Sequence, residues 1–304
     1  MEKFSLPYLV IFIPAYNEEG VLGQTIKNIT QQISGENQRD FIADIIVIDD
    51  GSQDKTREIA LAANVKRVIS HPQNMGLGAA TRTGLQTALE MGADIAVKID
   101  GDFQFEATDI EKIIQPILED RADCVFGSRF QGNRDYYGKE IHKKLGNKFI
   151  AWLTSAITGL FITDATTGFM AFHKRYLKIF NIIGNYNESQ QLIIDSWGKH
   201  MRVMEIPVLV KQRTTGKSFI NWKYPCIVIP NMIRAFIHFK PLRFFFFTGL
   251  FCILAAIAVW LYVSFSPNLS LGDGGTTITI LVLVGFQTIF FGLLADQNSY
   301  MVKK

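Results

Sequence analysis

The sequence is short of charge, of cysteine and of any run of one sign. Charged residues make up 19% of 304, and the formal net charge is +3. That balance is too weak to argue for nucleic acid, and none is expected as a partner. The three cysteines, Cys124, Cys226 and Cys252, have neither metal-ligand spacing nor a disulfide framework, and read as buried or lipid-facing thiols. Internal repeats and low-complexity segments are missing too. The N-terminal "MEKFSLPYLVIFIPAYNEE" has only a short apolar run before Pro14 and two acids, so a first strand is expected there rather than a signal peptide. Most telling, no charge at all falls between Arg243 and Asp273.

That gap contains Phe244 to Ser264, long enough for a bilayer core, which takes about 20 residues. A second uncharged stretch, Thr276 to Ala295, includes Gln287. Between them, "FSPNLSLGDGG" carries turn residues. Two such stretches in tandem predict a transmembrane hairpin, with spans at about 244–264 and 276–295. Lys223, Arg234, Lys240 and Arg243 precede the first span and Lys303 and Lys304 follow the second, while the connection has no basic residue. The positive-inside rule then places both termini and the N-terminal domain in the cytoplasm, as parts of an integral membrane protein. Trp222 to Phe239 reads as interfacial helices broken at Pro225 and Pro230. Phe149 to Thr163 is short for a span and reads as a core helix or as a helix resting on the bilayer. The expected domains are 1–220, 221–243 (juxtamembrane) and 244–304 (the hairpin).

Residues 1–220 read as α/β. Short apolar runs at Tyr8–Ile13, Ile45–Ile48, Val65–Ile69, Ile95–Ile99 and Val125–Phe126 have strand length. Helical patterns at Gly20–Gln32, Lys55–Ala63, Gly78–Met91 and Thr108–Asp120 separate them. Alternation of this kind predicts a mostly parallel sheet with right-handed crossovers, and ligands at the carboxyl ends of its strands. Polar clusters fall there: "PAYNEE", "DDGSQD", "HPQNMGLG" and "DGDFQ".

In "DGDFQ", alternation in an extended strand end would turn Asp100 and Asp102 to one side, where oxygen ligands suit Mg²⁺ or Mn²⁺ on a phosphate substrate. A calcium loop does not fit, because Phe105 stands where Gly is needed. Asp49 and Asp50 end a strand before Ser52 or Asp54, either of which can cap the next helix. "GLGAATRTG" lacks the third glycine of a dinucleotide fingerprint and the lysine of a P-loop. Arg129 and Arg134 after the fifth strand, and Lys211, Arg213, Lys217 and Ser218 before the membrane segment, could hold phosphate.

"PAYNEE", "DDGSQD", "NMGLGAA", "DGDFQ", "GSRF", "DATTGF" and "RTTGKS" together resemble family 2 glycosyltransferases of the polyprenyl-phosphate type, typified by dolichyl-phosphate mannose synthase. The resemblance covers residues 7–220, and a two-span tail occurs in a subgroup. It implies a GT-A nucleotide-sugar fold. It places Pro14, Tyr16, Glu18, Asp49, Asp50, Asp100 and Gly101 at the donor and Asp100 and Asp102 on Mg²⁺ or Mn²⁺. Asp102, Gln104 and Asp164 form the implied catalytic set, and Arg129, Arg134, Arg213, Lys217 and Ser218 the phosphate or acceptor ligands. Two departures stand out: Met170 replaces a frequent cation after "GF", and Ala107–Thr108 replaces a frequent proline.

The implied reaction is inverting hexose transfer from a nucleotide sugar, GDP-mannose or UDP-glucose in class, to polyprenyl phosphate among membrane lipids. A homo-oligomer is left open. A processive polysaccharide synthase would add a Q-x-x-R-W motif and more spans, neither of which is present. A non-catalytic nucleotide-sugar-binding protein sits less well with the intact Asp100/Asp102 pair.

Overall fold

The computed structural model describes residues 6–34, 41–131, 141–182, 184–185, 188–211, 224–266 and 271–302. The expectations for Arg134, Arg213, Lys217 and Ser218 lie outside these residues. The chain forms two compact units, Met1–Met232 and Ile233–Lys304.

The first unit is built on a seven-stranded sheet of order β3-β2-β1-β4-β6-β5-β7. In chain order the strands are β1 (Tyr8–Ala15), β2 (Ile42–Asp49), β3 (Arg67–Ser70), β4 (Ile95–Lys98), β5 (Cys124–Ser128), β6 (Met170–His173) and β7 (Val203–Pro207). Its helices are α1 (Leu22–Ser34), α2 (Thr56–Ala62), α3 (Leu77–Glu90), α4 (Asp109–Leu118), α5 (Ile141–Thr158), α6 (Lys174–Leu177) and α7 (Glu188–Gly198). β1 is central and buried along nearly its whole length, which is why its sequence is a continuous apolar run rather than an alternating one. All neighbours pair in parallel except β6, which runs antiparallel between β4 and β5. That inversion carries the segment before β6 to the edge where β1, β2, β4, β5 and β7 end.

Of 149–163, the residues up to Thr158 lie in α5. Asn147, Ile150, Ala151, Thr154 and Thr158 are buried on one face, while Leu145, Phe149 and Trp152 are exposed on the other. The helix is two-faced, with apolar groups on both sides.

Two helices follow in the second unit, α9 (Pro241–Phe265) and α10 (Leu271–Val302), after α8 (Tyr224–Phe239) leads into it. Contrary to the expected break, α8 runs through Pro230, and Pro225 lies in its first turn, where a missing N–H costs little. α10 also begins earlier than expected, so Leu271–Gly275 is helix rather than turn. α9 and α10 pair as a hairpin long and apolar enough to cross a membrane, with mean hydropathies of 2.5 and 2.3 over the most apolar 18 residues within Pro241–Phe265 and Gly274–Asn298. Their contact is lined by small residues: a Cβ on Gly249 would lie 2.5 Å from the Gly285 carbonyl oxygen. Without a hydrophobic drive inside lipid, such close backbone approach is what joins helices.

Candidate functional site

The site is assembled from loops at the carboxyl edge of the first unit's sheet. After β1, residues 16–19 interlock with the β2–α2 loop. Asn17 N–H donates to Ser52 Oγ (3.1 Å), Glu18 N–H to Thr56 Oγ1 (2.8 Å), Gln53 N–H to Asn17 Oδ1 (2.9 Å) and Lys55 N–H to Glu19 Oε2 (3.0 Å). Asp54 accepts from Thr56 N–H at 2.9 Å and so caps α2 from one residue outside its formal N-cap. Pro14 is buried in β1, and Tyr16 and Glu18 are half-buried just beyond it.

Asp49 and Asp50 are both buried but differ in occupation. Asp49 accepts from Ser52 N–H at 3.0 Å. Asp50 accepts from Met75 N–H (2.9 Å) and Gly76 N–H (2.8 Å) and pairs with His71 Nδ1 at 2.6 Å, so it organises the loop after β3. The start of α3 is filled from within the chain, since Gly78 N–H donates to the Asn185 carbonyl at 2.8 Å.

β4 ends at Lys98, and Phe103 has a positive φ of 59°, so residues 101–103 form a turn. This corrects the alternation argument for Asp100 and Asp102, since the strand ends at Lys98 and the turn begins between the two carboxylates. What seats Asp100 is different. Lys98, fully buried and two residues back, donates from Nζ to Asp100 Oδ1 at 2.7 Å and to Glu188 Oε1 at 3.1 Å. Burial alone would pull the ammonium's pKa down; the two carboxylates outweigh it, and the net displacement is upward. The other oxygen, Oδ2, lies against Gly168, whose absent Cβ would fall 1.8 Å from it. Gly101 is buried against the end of β1, and its carbonyl accepts from Thr25 Oγ1 at 3.1 Å. Asp102 Oδ1 accepts from Gln104 N–H at 3.2 Å. Gln104 in turn is tied to Lys211: its carbonyl accepts from Lys211 N–H at 2.8 Å, and the Lys211 ammonium stands 4.7 Å from the Phe103 ring centroid. Lys211 itself is thereby held at the Asp102 turn.

At the end of β5, Arg129 forms a two-point ion pair with Asp164, Nε to Oδ2 at 2.6 Å and Nη2 to Oδ1 at 2.7 Å. Nη2 also donates to Thr166 Oγ1, which donates to Asn147 Oδ1 at 2.7 Å. Asp164 is fully buried; desolvation raises its pKa, but Arg129 more than offsets this, leaving it below the usual carboxylate value. Behind it, Glu205 accepts from Thr163 and Asp164 N–H groups, and burial pushes its own pKa up. The "DATTGF" loop thus bridges Arg129 to Asp100.

Two carboxylates at a partly exposed turn suit a divalent ion whose shell is completed by substrate phosphate and water. Among the described residues no cluster of three or more His, Cys, Asp or Glu could hold a metal alone. Asp100 Oδ2 accepts no hydrogen bond among the described residues, which leaves an oxygen of the right hardness for Mg²⁺ or Mn²⁺. Sequence reasoning missed Lys98, Glu188, Glu205 and Asn147. Lys98 had left a signal, the single charge in the buried run "IAVKI".

The sequence pattern described as "Glycosyl transferase family 2" matches residues 10–180. A UDP-N-acetylglucosamine–dolichyl-phosphate N-acetylglucosaminyltransferase of Methanococcus voltae is 34% identical over 219 residues, covering 66% of this chain and 84% of that protein. A dolichyl-phosphate beta-glucosyltransferase of Trichomonas vaginalis is 29% identical over 266 residues, covering 81% and 74%. Among solved structures, glucosyl-3-phosphoglycerate synthase from Mycobacterium tuberculosis with Mn²⁺, UDP-glucose and phosphoglyceric acid superposes with a TM-score of 0.59. It is 19% identical and the match covers 76% of this chain and 80% of that one, a likeness of fold.

Proposed function

The chain belongs to glycosyl transferase family 2, and on that premise we propose that it transfers a hexose from a nucleotide sugar to a polyprenyl phosphate at a membrane surface, with inversion at the anomeric carbon. One observation carries the reading: the Asp100–Asp102 turn, the Asp49–Asp50 strand end and the Arg129–Asp164 pair share one edge of the sheet. Relatives named for transfer to dolichyl phosphate support the acceptor class, and the first, named for UDP-N-acetylglucosamine, adds that sugar to UDP-glucose and GDP-mannose as donors to try. The α9–α10 hairpin and the exposed apolar face of α5 supply a reason for a protein with this site to meet lipid.

In this reading Pro14, Tyr16, Glu18, Asp49, Asp50 and Gly101 border the donor nucleotide, and Asp100 and Asp102 would hold Mg²⁺ or Mn²⁺. When bound, the ion stabilises charge on the departing diphosphate without a proton donor. Gln104 keeps the Asp102 turn in shape through its backbone N–H. The acceptor needs little deprotonation, because a phosphate monoester with a second pKa of about 6 is already largely dianionic at neutral pH. Asp164 is therefore not needed as a base, and its ion pair makes it a poor one. It fixes Arg129, and Arg129 with Arg134, Arg213, Lys217 and Ser218 makes up the proposed phosphate-holding set. Positioning and electrostatics carry the rate.

The test is transfer of labelled sugar from UDP-glucose, UDP-N-acetylglucosamine and GDP-mannose to polyprenyl phosphate in membranes, with Mg²⁺ or Mn²⁺, with EDTA, and with Asp102→Ala. A chloroform-extractable product that needs metal and Asp102 is expected. A water-soluble polymer would favour a polysaccharide synthase. Silence with every donor would sink the catalytic reading.

A further inference from the structure

Lys98 sits in β4 with no exposed surface, at a position where an apolar side chain would pack. Burying an ammonium costs several kcal/mol unless partners offset it, and a buried ion pair is weak evidence of stabilisation. Its two partners differ in access. Glu188, at the start of α7, has 4% of its side-chain surface exposed, whereas Asp100 retains 27%. One end of the network is sealed in the core and the other opens on the site. The same helix start grips the opposite side of Asp100: Ser189 Oγ donates to the Thr167 carbonyl at 2.8 Å, beside Gly168, the residue that Asp100 Oδ2 rests on.

We propose that Lys98 and Glu188 are positioning residues for Asp100: the Glu188-anchored ammonium holds Oδ1, so Oδ2 is presented to a divalent cation arriving with a nucleoside diphosphate. The inference rests on the metal-dependent reading above. Both charges are needed for it. Lysine alone would neutralise Asp100 and compete with the incoming cation. Glu188 shares that ammonium, so Asp100 stays oriented yet anionic. Neither residue touches the reacting atoms.

The experiment measures Mn²⁺ binding by electron paramagnetic resonance on the detergent-solubilised full chain, with UDP and with GDP. It compares the natural protein with Glu188→Gln and with the double variant Lys98→Met/Glu188→Leu. Glu188→Gln keeps an oxygen acceptor but leaves the lysine to Asp100 alone. The double variant removes one charge of each sign, leaves no unpaired buried ion and removes only the orientation of Asp100. In both, the Mn²⁺ concentration at half-saturation should rise about tenfold or more, the usual scale for loss of an outer-shell partner. The acceptor KM should stay unchanged and the circular dichroism should be native. A folded double variant with the natural half-saturation would overturn the inference and reduce the pair to packing. If the natural protein itself binds no Mn²⁺ with either nucleotide, the metal-dependent reading falls first, and the inference with it.

Discussion

Gly168 and Asp164 show how far single atoms decide this site. Any side chain at 168 meets Asp100 Oδ2, since a Cβ would stand 1.8 Å away. Asp100 cannot simply rotate, because Lys98 holds its other oxygen. Gly168→Ala is therefore expected to cut transfer by about 100-fold, the order that a misplacement near 1 Å costs, with little change in the unfolding midpoint. A natural rate with native circular dichroism would show that the seat is not needed. Asp164→Asn should behave oppositely, acting first on stability. Losing one partner of a buried pair costs about 3–5 kcal/mol, so the unfolding midpoint should drop at pH 7. The folded-state pKa of Asp164 is depressed below its ordinary 3.8. Its contribution is thus present above that value and lost as pH falls through the depressed one, so the gap between the two proteins should narrow as pH falls below 3.8. A difference that persists undiminished at pH 3 would assign the effect to packing.

At the scale of elements, proline and glycine act by context. Pro230 lies inside α8 without ending it, and Pro225 lies where a helix tolerates proline anyway. Within the hairpin, Gly249, Ala256 and Val263 are buried on α9 at a seven-residue interval, and Gly285 and Gly292 answer them on α10. Gly249→Val would drive a side chain into the Gly285 carbonyl and Ile289. The variant is expected to lose the hairpin at a lower fraction of dodecyl sulfate in a detergent titration, read by circular dichroism, whereas Phe251→Val, on the exposed side, should not. Equal effects would mean that the two helices do not depend on that contact.

For the whole molecule, the prediction concerns which way the hairpin faces. The basic residues flank its outer ends and not its connection, which the positive-inside rule reads as a cytoplasmic first unit. A cysteine placed at Asn268, with Cys226 and Cys252 replaced by serine, should react with a membrane-impermeant maleimide in intact cells. Reaction only after permeabilisation would reverse the orientation. It would also remove the proposed donor site from the compartment that holds nucleotide sugars.

The strand–helix alternation up to β5, the edge on which "PAYNEE", "DDGSQD" and "DGDFQ" gather, and the apolar hairpin were all determined by sequence alone. Each rests on a local period, a strand-length run or an uncharged stretch, and local periods survive without knowledge of neighbours. β6 and β7 were not legible, because four or five residues in a sheet built from distant segments carry no period of their own. The seat of Asp100 was not legible either. Lys98 and Glu188 are 90 positions apart, and only the tertiary fold, which brings the start of α7 to the end of β4, puts the ammonium between two carboxylates. Alternation along the strand singled out Asp100 and Asp102, but the turn at Phe103 decided their setting. The same holds for Arg129 and Asp164, 35 positions apart. Their charges could be read in the sequence, but burial and the inverted strand decided that they pair.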